Sequence, residues 1–381
     1  MSLPHDDLGT AWRAGRPAAT LVHLDSAACG RASHAVLAAV SQHARREAET
    51  GGYVAESAAA PHLERARAAV GELVGMTGDE VAFVHHAGDA LRRLLERWPF
   101  AAGATVACVP GEYGPNLAAL TARGLRVTDL PVDGLGRVVP EALDGSLRRD
   151  RPDLVHLTWI ASHRGVVQPA ARVAAACRAA GVPVVIDAAQ ALGHVDTVTT
   201  ADAVYGTSRK WLAGPRGVGV LAVRAEAAAR LRPRPEVGEA SCPDAVSLRW
   251  LDSNEAHVAG RVGLGVALDE HLAAGRARVH ARLAALGGLT RRILDGVGGW
   301  QVVEPWDEPS AMTTLEAPDG VDVAAVRAHL LDACGVLTTH AELARAPREL
   351  TRPVLRVSPH LDAEPEDLDT LARALADLGR A

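Results

Sequence analysis

The chain has 381 residues, 48% hydrophobic and 23% charged, the balance of a globular protein long enough for two packed domains. A formal net charge of −6 without any basic run argues against nucleic acid or an anionic membrane as the main partner. Five widely spaced cysteines (Cys29, Cys108, Cys177, Cys242 and Cys334) form no CxxC pair, so neither a disulfide framework nor a zinc site is indicated.

The opening Met1-Ser2-Leu3-Pro4-His5-Asp6-Asp7 has acids where a secretion signal needs a basic and then an apolar stretch. No window of about 18 uncharged apolar residues follows, so a cytoplasmic protein without a membrane span is expected. From about residue 60 to 235, helical patterns alternate with short β-branched runs, the signature of a parallel sheet covered on both faces. Strands are expected at 81–85, 105–109, 154–158, 182–187, 201–206 and 217–223, with amphipathic helices at 87–98, 169–180 and 224–231. A Pro/Arg/Glu segment at 232–236 breaks the alternation, and a helix at 256–274 follows as a bridge. Its glycines, Gly260, Gly263 and Gly265, fall inside the helical pattern and suit close helix packing; a dinucleotide loop would need them at a strand-to-helix turn. The remainder reads as α+β, with strands at 299–303, 311–315, 335–339 and 354–357 and helices at 323–333 and 365–378. The expected division is a segment 1–30 joining the small domain, a large domain 31–250 and a small domain 251–381 after the bridging helix.

In an open α/β sheet, ligands bind beyond the carboxyl ends of the strands. Four such ends carry reactive side chains: His86-Ala87-Gly88-Asp89, Gly111-Glu112-Tyr113-Gly114-Pro115-Asn116, Asp187-Ala188-Ala189-Gln190 and Thr207-Ser208-Arg209-Lys210. Lys210 is the single lysine among 40 basic residues. Arginine replaces lysine in ion pairs and at phosphates, but only lysine can act as an amine nucleophile and form a Schiff base. An acid and a lysine on one sheet edge, beside small residues at a helix start, fit pyridoxal 5′-phosphate (PLP). The lysine forms the imine, the carboxylate keeps the pyridine nitrogen protonated, and the helix N-terminus binds phosphate. The 16 histidines show no HxxxH or HExxH spacing, so no metal is expected.

Leu24-Asp25-Ser26-Ala27-Ala28, Val185-Ile186-Asp187-Ala188-Ala189-Gln190 and Ser208-Arg209-Lys210-Trp211-Leu212-Ala213-Gly214-Pro215-Arg216-Gly217 resemble the class V, fold type I, PLP-dependent family. The resemblance runs from about Leu24 to His360. It implies a large α/β domain with a mainly parallel seven-stranded sheet, a smaller α+β C-terminal domain and a homodimer. It also implies roles: Lys210 for the imine, Asp187 for the pyridine nitrogen, Gln190 for the ring oxygen, Thr207 and Arg209 for the phosphate, and Tyr113 for stacking. Ala87-Gly88 stand where the family has two phosphate-binding threonines, which shifts phosphate binding onto Thr207, Arg209 and backbone N–H groups. Ser162 stands near the ring oxygen, Asn116 and Ala27 line the substrate side, and Arg356 in Leu355-Arg356-Val357-Ser358-Pro359-His360 matches the arginine that holds the substrate α-carboxylate. Asn254-Glu255 occupy the place of a Gly-Thr pair that reaches the neighbouring subunit's phosphate.

The stretch Gly335-Val336-Leu337-Thr338-Thr339-His340-Ala341-Glu342-Leu343 contains no cysteine where a desulfurase needs its thiolate, and Cys334 is read as a buried thiol at a helix end. Gly51-Gly52-Tyr53-Val54, Pro110 to Leu117, Ala161 to Val166 and Asn254 to Ala259 resemble a carbon–sulfur lyase branch acting on amino-acid sulfoxides. For that chemistry, Lys210 is the base at the α-carbon and Tyr113 the donor to the departing sulfur oxygen. Tyr53 and Trp250 are the aromatic candidates for a cationic group on the substrate. A desulfurase, an epimerase and a silent PLP-fold binding protein are the competing readings.

Overall fold

A computed structural model describes residues 3–232 and 247–379. Most of the Pro/Arg/Glu break, together with Met1, Ser2 and Cys242, lies outside the described residues. The chain begins with helix α1 (Asp6–Ala14), the short strand β1 (Val22–His23) and two long helices, α2 (His34–Thr50) and α3 (Gly52–Val74). There follow β2 (Val81–Val84), α4 (Ala87–Arg97), β3 (Thr105–Cys108), α5 (Gly114–Ala122), β4 (Arg126–Asp129), α6 (Pro140–Asp150), β5 (Leu154–Thr158), α7 (Ala170–Ala180), β6 (Val184–Asp187), β7 (Ala203–Thr207), β8 (Gly219–Val223) and α8 (Ala225–Ala228). The last third comprises α9 (Val258–Ala274), α10 (Arg276–Leu294), β9 (Gln301–Val302), β10 (Thr313–Glu316), α11 (Val323–Asp332), β11 (Val336–Leu337), β12 (Thr339–Ala341), β13 (Val354–Val357) and α12 (Pro365–Leu378).

Seven strands form the main sheet in the order β2-β8-β7-β6-β5-β3-β4, parallel except for β8, which runs antiparallel to both neighbours. Strands β2, β5, β6, β7 and β8 are buried along their whole length, because helices cover both faces and a strand so enclosed needs no polar alternation. β4, at the sheet edge, is the strand missing from the sequence reading. Its Arg126-Val127-Thr128-Asp129 is short and polar at both ends, as an edge strand facing water tolerates.

A second, antiparallel sheet, β12-β13-β10-β9, packs with α10, α11 and α12 around Leu315, Leu355, Leu368 and Leu371. The N-terminal segment joins this part: β1 pairs in parallel with β11, and Asp25 bridges to Ser358. Helix α9 lies against α2 and α3 and contributes Leu264 and Leu268 to the larger core. Its glycines permit that approach, since a Cβ at Gly263 would come within 2.6 Å of Val40 Cγ2 and one at Gly265 within 2.3 Å of His62 Nε2. We therefore propose to draw the division between large and small domains at α10, whose side chains enter both cores, instead of at residue 251. Cys334, expected to be buried, is half-buried just beyond α11. Among the described residues, no helix is long and apolar enough to cross a membrane.

Candidate active site

The parallel strands β5, β6 and β7 deliver Thr158, Asp187 and Thr207 to one edge of the main sheet, and the turns beyond them supply Ser162, Gln190, Arg209 and Lys210. All seven line one cavity of about 470 Å³, together with Ala27, Ala87, Gly88, Tyr113 and Asn116. The same wall contains His86 and Arg345, which the sequence reading did not single out.

Asp187 closes β6. Its Oδ1 accepts from Ala189 N at 2.8 Å and its Oδ2 from Asn116 Nδ2 at 2.9 Å, the acceptor pattern of a carboxylate. Both hydrogens of the Asn116 amide are occupied, the second by Glu112 Oε1 at 2.9 Å, so Asn116 acts by holding Asp187 in place. Gln190 Oε1 accepts from Trp211 Nε1 at 3.0 Å and its Nε2 donates one hydrogen to Ala27 O at 2.9 Å, which leaves its other N–H for a ligand oxygen. The Ser162 hydroxyl is buried in the wall with no hydrogen-bond partner among the described residues.

Lys210 follows β7 by three residues. Burial lowers its amine from the ordinary lysine range to about 7; Asp187 opposes the drop, and Arg209, Arg356 and Arg345 add to it. An amine with that pKa is half neutral near pH 7 and so available as a nucleophile or base. The chain approaches it closely at Gly30, where a Cβ would lie 2.4 Å from the Lys210 carbonyl oxygen.

The N-terminus of α4 faces the cavity through Ala87 and Gly88, whose backbone N–H groups have no acceptor within the helix. His86 caps this helix, with Nδ1 accepting from Asp89 N at 3.1 Å. That acceptor role puts the ring proton on Nε2, which gives the helix end an additional donor. Gly219 lets β8 pass beneath it, since a Cβ there would meet His86 Cα at 2.7 Å. With Thr207 and Arg209 in the same wall, this corner suits an anion.

Arg356, on β13, is completely buried and is not among the residues that line the cavity, although it reaches the backbone of the wall at Ser162. Its Nη1 donates to Ser162 O at 2.6 Å and its Nη2 to Asp25 Oδ1 at 2.9 Å, while Nε has no hydrogen-bond partner among the described residues. Tyr53 and Trp250 are not brought to the cavity. Tyr53 is 87% exposed near the start of α3, and Trp250 packs against the core between β2, β8 and α4. Asn254 and Glu255 are exposed and away from the cavity wall. Arg345 was hidden among 39 arginines, and His86 was read only as part of a helix start.

A lysine amine and a carboxylate on one sheet edge, beside a helix N-terminus aimed into the same cavity, define the architecture of fold type I pyridoxal-phosphate enzymes. The chain belongs to the aminotransferase class V family, whose sequence profile matches residues 22–371. A protein of Mycobacterium tuberculosis (strain CDC 1551 / Oshkosh) named probable hercynylcysteine sulfoxide lyase is 54% identical over 370 residues, 97% of this chain and 93% of its own. An isopenicillin N epimerase of Amycolatopsis lactamdurans is 27% identical, covering 98% of this chain and all of its own. Among solved structures, the apo cysteine desulfurase of Thermococcus onnurineus NA1 has a TM-score of 0.84 at 19% identity and covers 100% of this chain and 99% of its own. The cystine C–S lyase C-DES, in complex with cysteine persulfide, also has a TM-score of 0.84, at 18% identity and 94% and 98% coverage.

Proposed function

We propose that this chain is a PLP-dependent carbon–sulfur lyase that cleaves hercynylcysteine sulfoxide by β-elimination, with ergothioneine, pyruvate and ammonia as the final products. The observation that carries this reading is the single cavity uniting the low-pKa amine of Lys210, the Asp187 carboxylate and the α4 N-terminus, in a chain 54% identical to the mycobacterial protein. PLP, when bound, supplies an aldehyde that captures the substrate amino group and a ring that accepts the electron pair left at the α-carbon.

The residues present fit that group. Ala87, Gly88, His86, Thr207 and Arg209 would hold the phosphate, Asp187 would take the ring N–H, Gln190 and Ser162 would meet the ring oxygen, and Tyr113 would stack on the ring. Lys210 Nζ would be the attachment point and, as a free amine, the base that takes the substrate α-proton. Arg356 and Arg345 offer cations for the α-carboxylate. The Cβ–S bond breaks with its electron pair on sulfur, and Tyr113 donates a proton to the departing sulfenate oxygen. The aminoacrylate left behind takes up water to give pyruvate and ammonia. The sulfenic acid becomes the thione only on receiving two electrons from an external reductant.

A second cavity of about 590 Å³ shares Tyr113, Pro115 and Arg345 with the first and is lined also by Arg327, His340 and Glu342. We assign it to the part of the substrate beyond sulfur, a betaine with one positive and one negative charge. The quaternary ammonium meets Tyr113 and Glu342, and the carboxylate meets Arg327.

We also place the protein in the cytoplasm as a homodimer. The four cysteines among the described residues are unpaired, and Leu37 on α2 with Tyr53 and Val54 on α3 leave apolar surface that a second copy would cover. The deciding assay mixes PLP-loaded protein with hercynylcysteine sulfoxide and follows pyruvate. Pyruvate release supports the lyase; an inverted substrate without pyruvate would assign the chain to an epimerase, and a persulfide with alanine in a parallel incubation with free cysteine would assign it to a desulfurase.

A further inference from the structure

Behind Asp187 lies a polar cluster whose inner members, Glu112, His156 and Tyr205, are not among the residues that line the cavity. Asn116 Nδ2 donates one hydrogen to Asp187 and the other to Glu112, so one neutral amide bridges two carboxylates. Glu112 is completely buried. Its Oε1 also accepts from Tyr113 N at 2.8 Å and Thr158 Oγ1 at 2.7 Å, and its Oε2 faces His156 Nδ1 at 2.8 Å. His156 Nε2 lies 2.9 Å from the Tyr205 hydroxyl, which in turn meets Asp187 and closes the ring.

An amide can orient two carboxylates but cannot neutralise either. Two buried anions joined this way repel, and one takes a proton unless a cation stands against it. His156 is placed to be that cation. Burial by itself disfavours a charged imidazole, but the charge and hydrogen bond of Glu112, with the charge of Asp187, outweigh it and raise the His156 pKa. Burial likewise works against a charged Glu112, and the His156 charge with the three side-chain donors brings its pKa below the ordinary value. The Cys108, Glu112 and His156 donor atoms lie within 4.8 Å of one another. Even so, a 2.8 Å His156–Glu112 contact is a hydrogen bond, shorter than the roughly 3.3 Å between two ligands of one tetrahedral metal ion.

We propose that Glu112 and His156 are a positioning pair: His156 neutralises Glu112, so that the bridged carboxylates carry one net charge and that charge stays on Asp187, facing the cofactor ring nitrogen. The proposal rests on the reading of Asp187 as the ring-nitrogen partner. Neither residue touches the cavity, so both act through Asn116 and Asp187.

The test titrates PLP into apoprotein of wild type, His156→Gln, Glu112→Gln and the double variant from pH 6 to 9, with thermal melting as a check on folding. The titratable groups around the pair are Cys108 on β3, Asp187 on β6, Tyr205 on β7 and Lys210. Burial raises the Cys108 thiol and the Tyr205 hydroxyl well above their ordinary values, and Lys210 titrates in every variant, so the reading is each variant's affinity relative to wild type. His156→Gln, in which Asp187 and Glu112 compete for one proton, is expected to bind PLP at least tenfold more weakly than wild type at pH 8. Glu112→Gln and the double variant are expected to stay within threefold of wild type throughout. A His156→Gln chain that folds only when Glu112→Gln is added gives the same support. Equal losses in Glu112→Gln and His156→Gln, no loss in His156→Gln, or a double variant as impaired as His156→Gln would overturn the proposal. If wild-type protein binds no PLP, the reading of the site fails first.

Discussion

In the proposed reaction Lys210 and Tyr113 carry the chemistry, and each yields a measurement. Because burial lowers the Lys210 pKa to about 7, the neutral amine predominates above that pH and disappears below it. Uptake of PLP by apoprotein is therefore expected to speed up through pH 7 and level off above about pH 8. A rate still rising tenfold per pH unit at pH 9 would mean an unperturbed amine. Tyr113→Phe keeps the ring but removes the proton donor, so PLP affinity should hold while lyase turnover falls about 10²-fold or more. Unchanged turnover would leave Tyr113 with a stacking role alone. Lys210 and Asp187 were legible in the sequence because one is the chain's only lysine and both follow β-branched runs that end at the same sheet edge. Asn116 was legible as a site residue, but its hold on Asp187 was not, since that bond spans 71 positions. Arg345 carried no local signal, one arginine among many on a turn before β13.

Among the elements, α11, β12 and the turn Leu343–Arg345 line the second cavity, and in the proposed subsite they bear on substrate choice more than on catalysis. Arg327, on α11, is oriented by a bond from its Nε to Thr338 O at 3.2 Å, which leaves its outer nitrogens for a ligand. Arg327→Ala is expected to raise KM for hercynylcysteine sulfoxide about tenfold with kcat little changed, and to leave KM for S-methylcysteine sulfoxide, which lacks the betaine, as in wild type. Equal effects on both substrates would remove the subsite. At the element level the sequence reading found β2, β3, β5, β6, β7 and β8 from their apolar runs, because a strand buried on both faces announces itself. It passed over β4, whose exposed edge needs few apolar residues, and it started the alternating pattern at about residue 60. Pro61 lies inside α3 and interrupts the helical signal there.

For the whole molecule, the two parts are joined by buried polar groups. Gly165 N donates to Glu304 Oε1 at 2.6 Å, His163 meets Glu349 at 2.7 Å, and a stack of Trp12, His360, Trp211 and His194 runs from α1 to the residue beside Lys210. Burial depresses the His194 and His271 pKa values to about 3 and that of His360 to about 4. Their folded pKa values lie below the unfolded value of about 6.5, so the stability they contribute is complete above pH 6.5 and is lost as pH falls toward 3 to 4. Melting temperature is expected to drop between pH 6.5 and 4.5. His271, on α9, has no hydrogen-bond partner for either ring nitrogen among the described residues, so His271→Leu should melt higher and show a shallower drop, and a curve parallel to wild type would refute the assignment.

The central claim is that Lys210 is the residue joined to the cofactor. Reducing PLP-loaded protein with borohydride and locating the pyridoxyl group by mass spectrometry of its peptides tests it directly. The expected result is one adduct, on Lys210; an adduct on another residue, or none in protein that has taken up PLP, would contradict it.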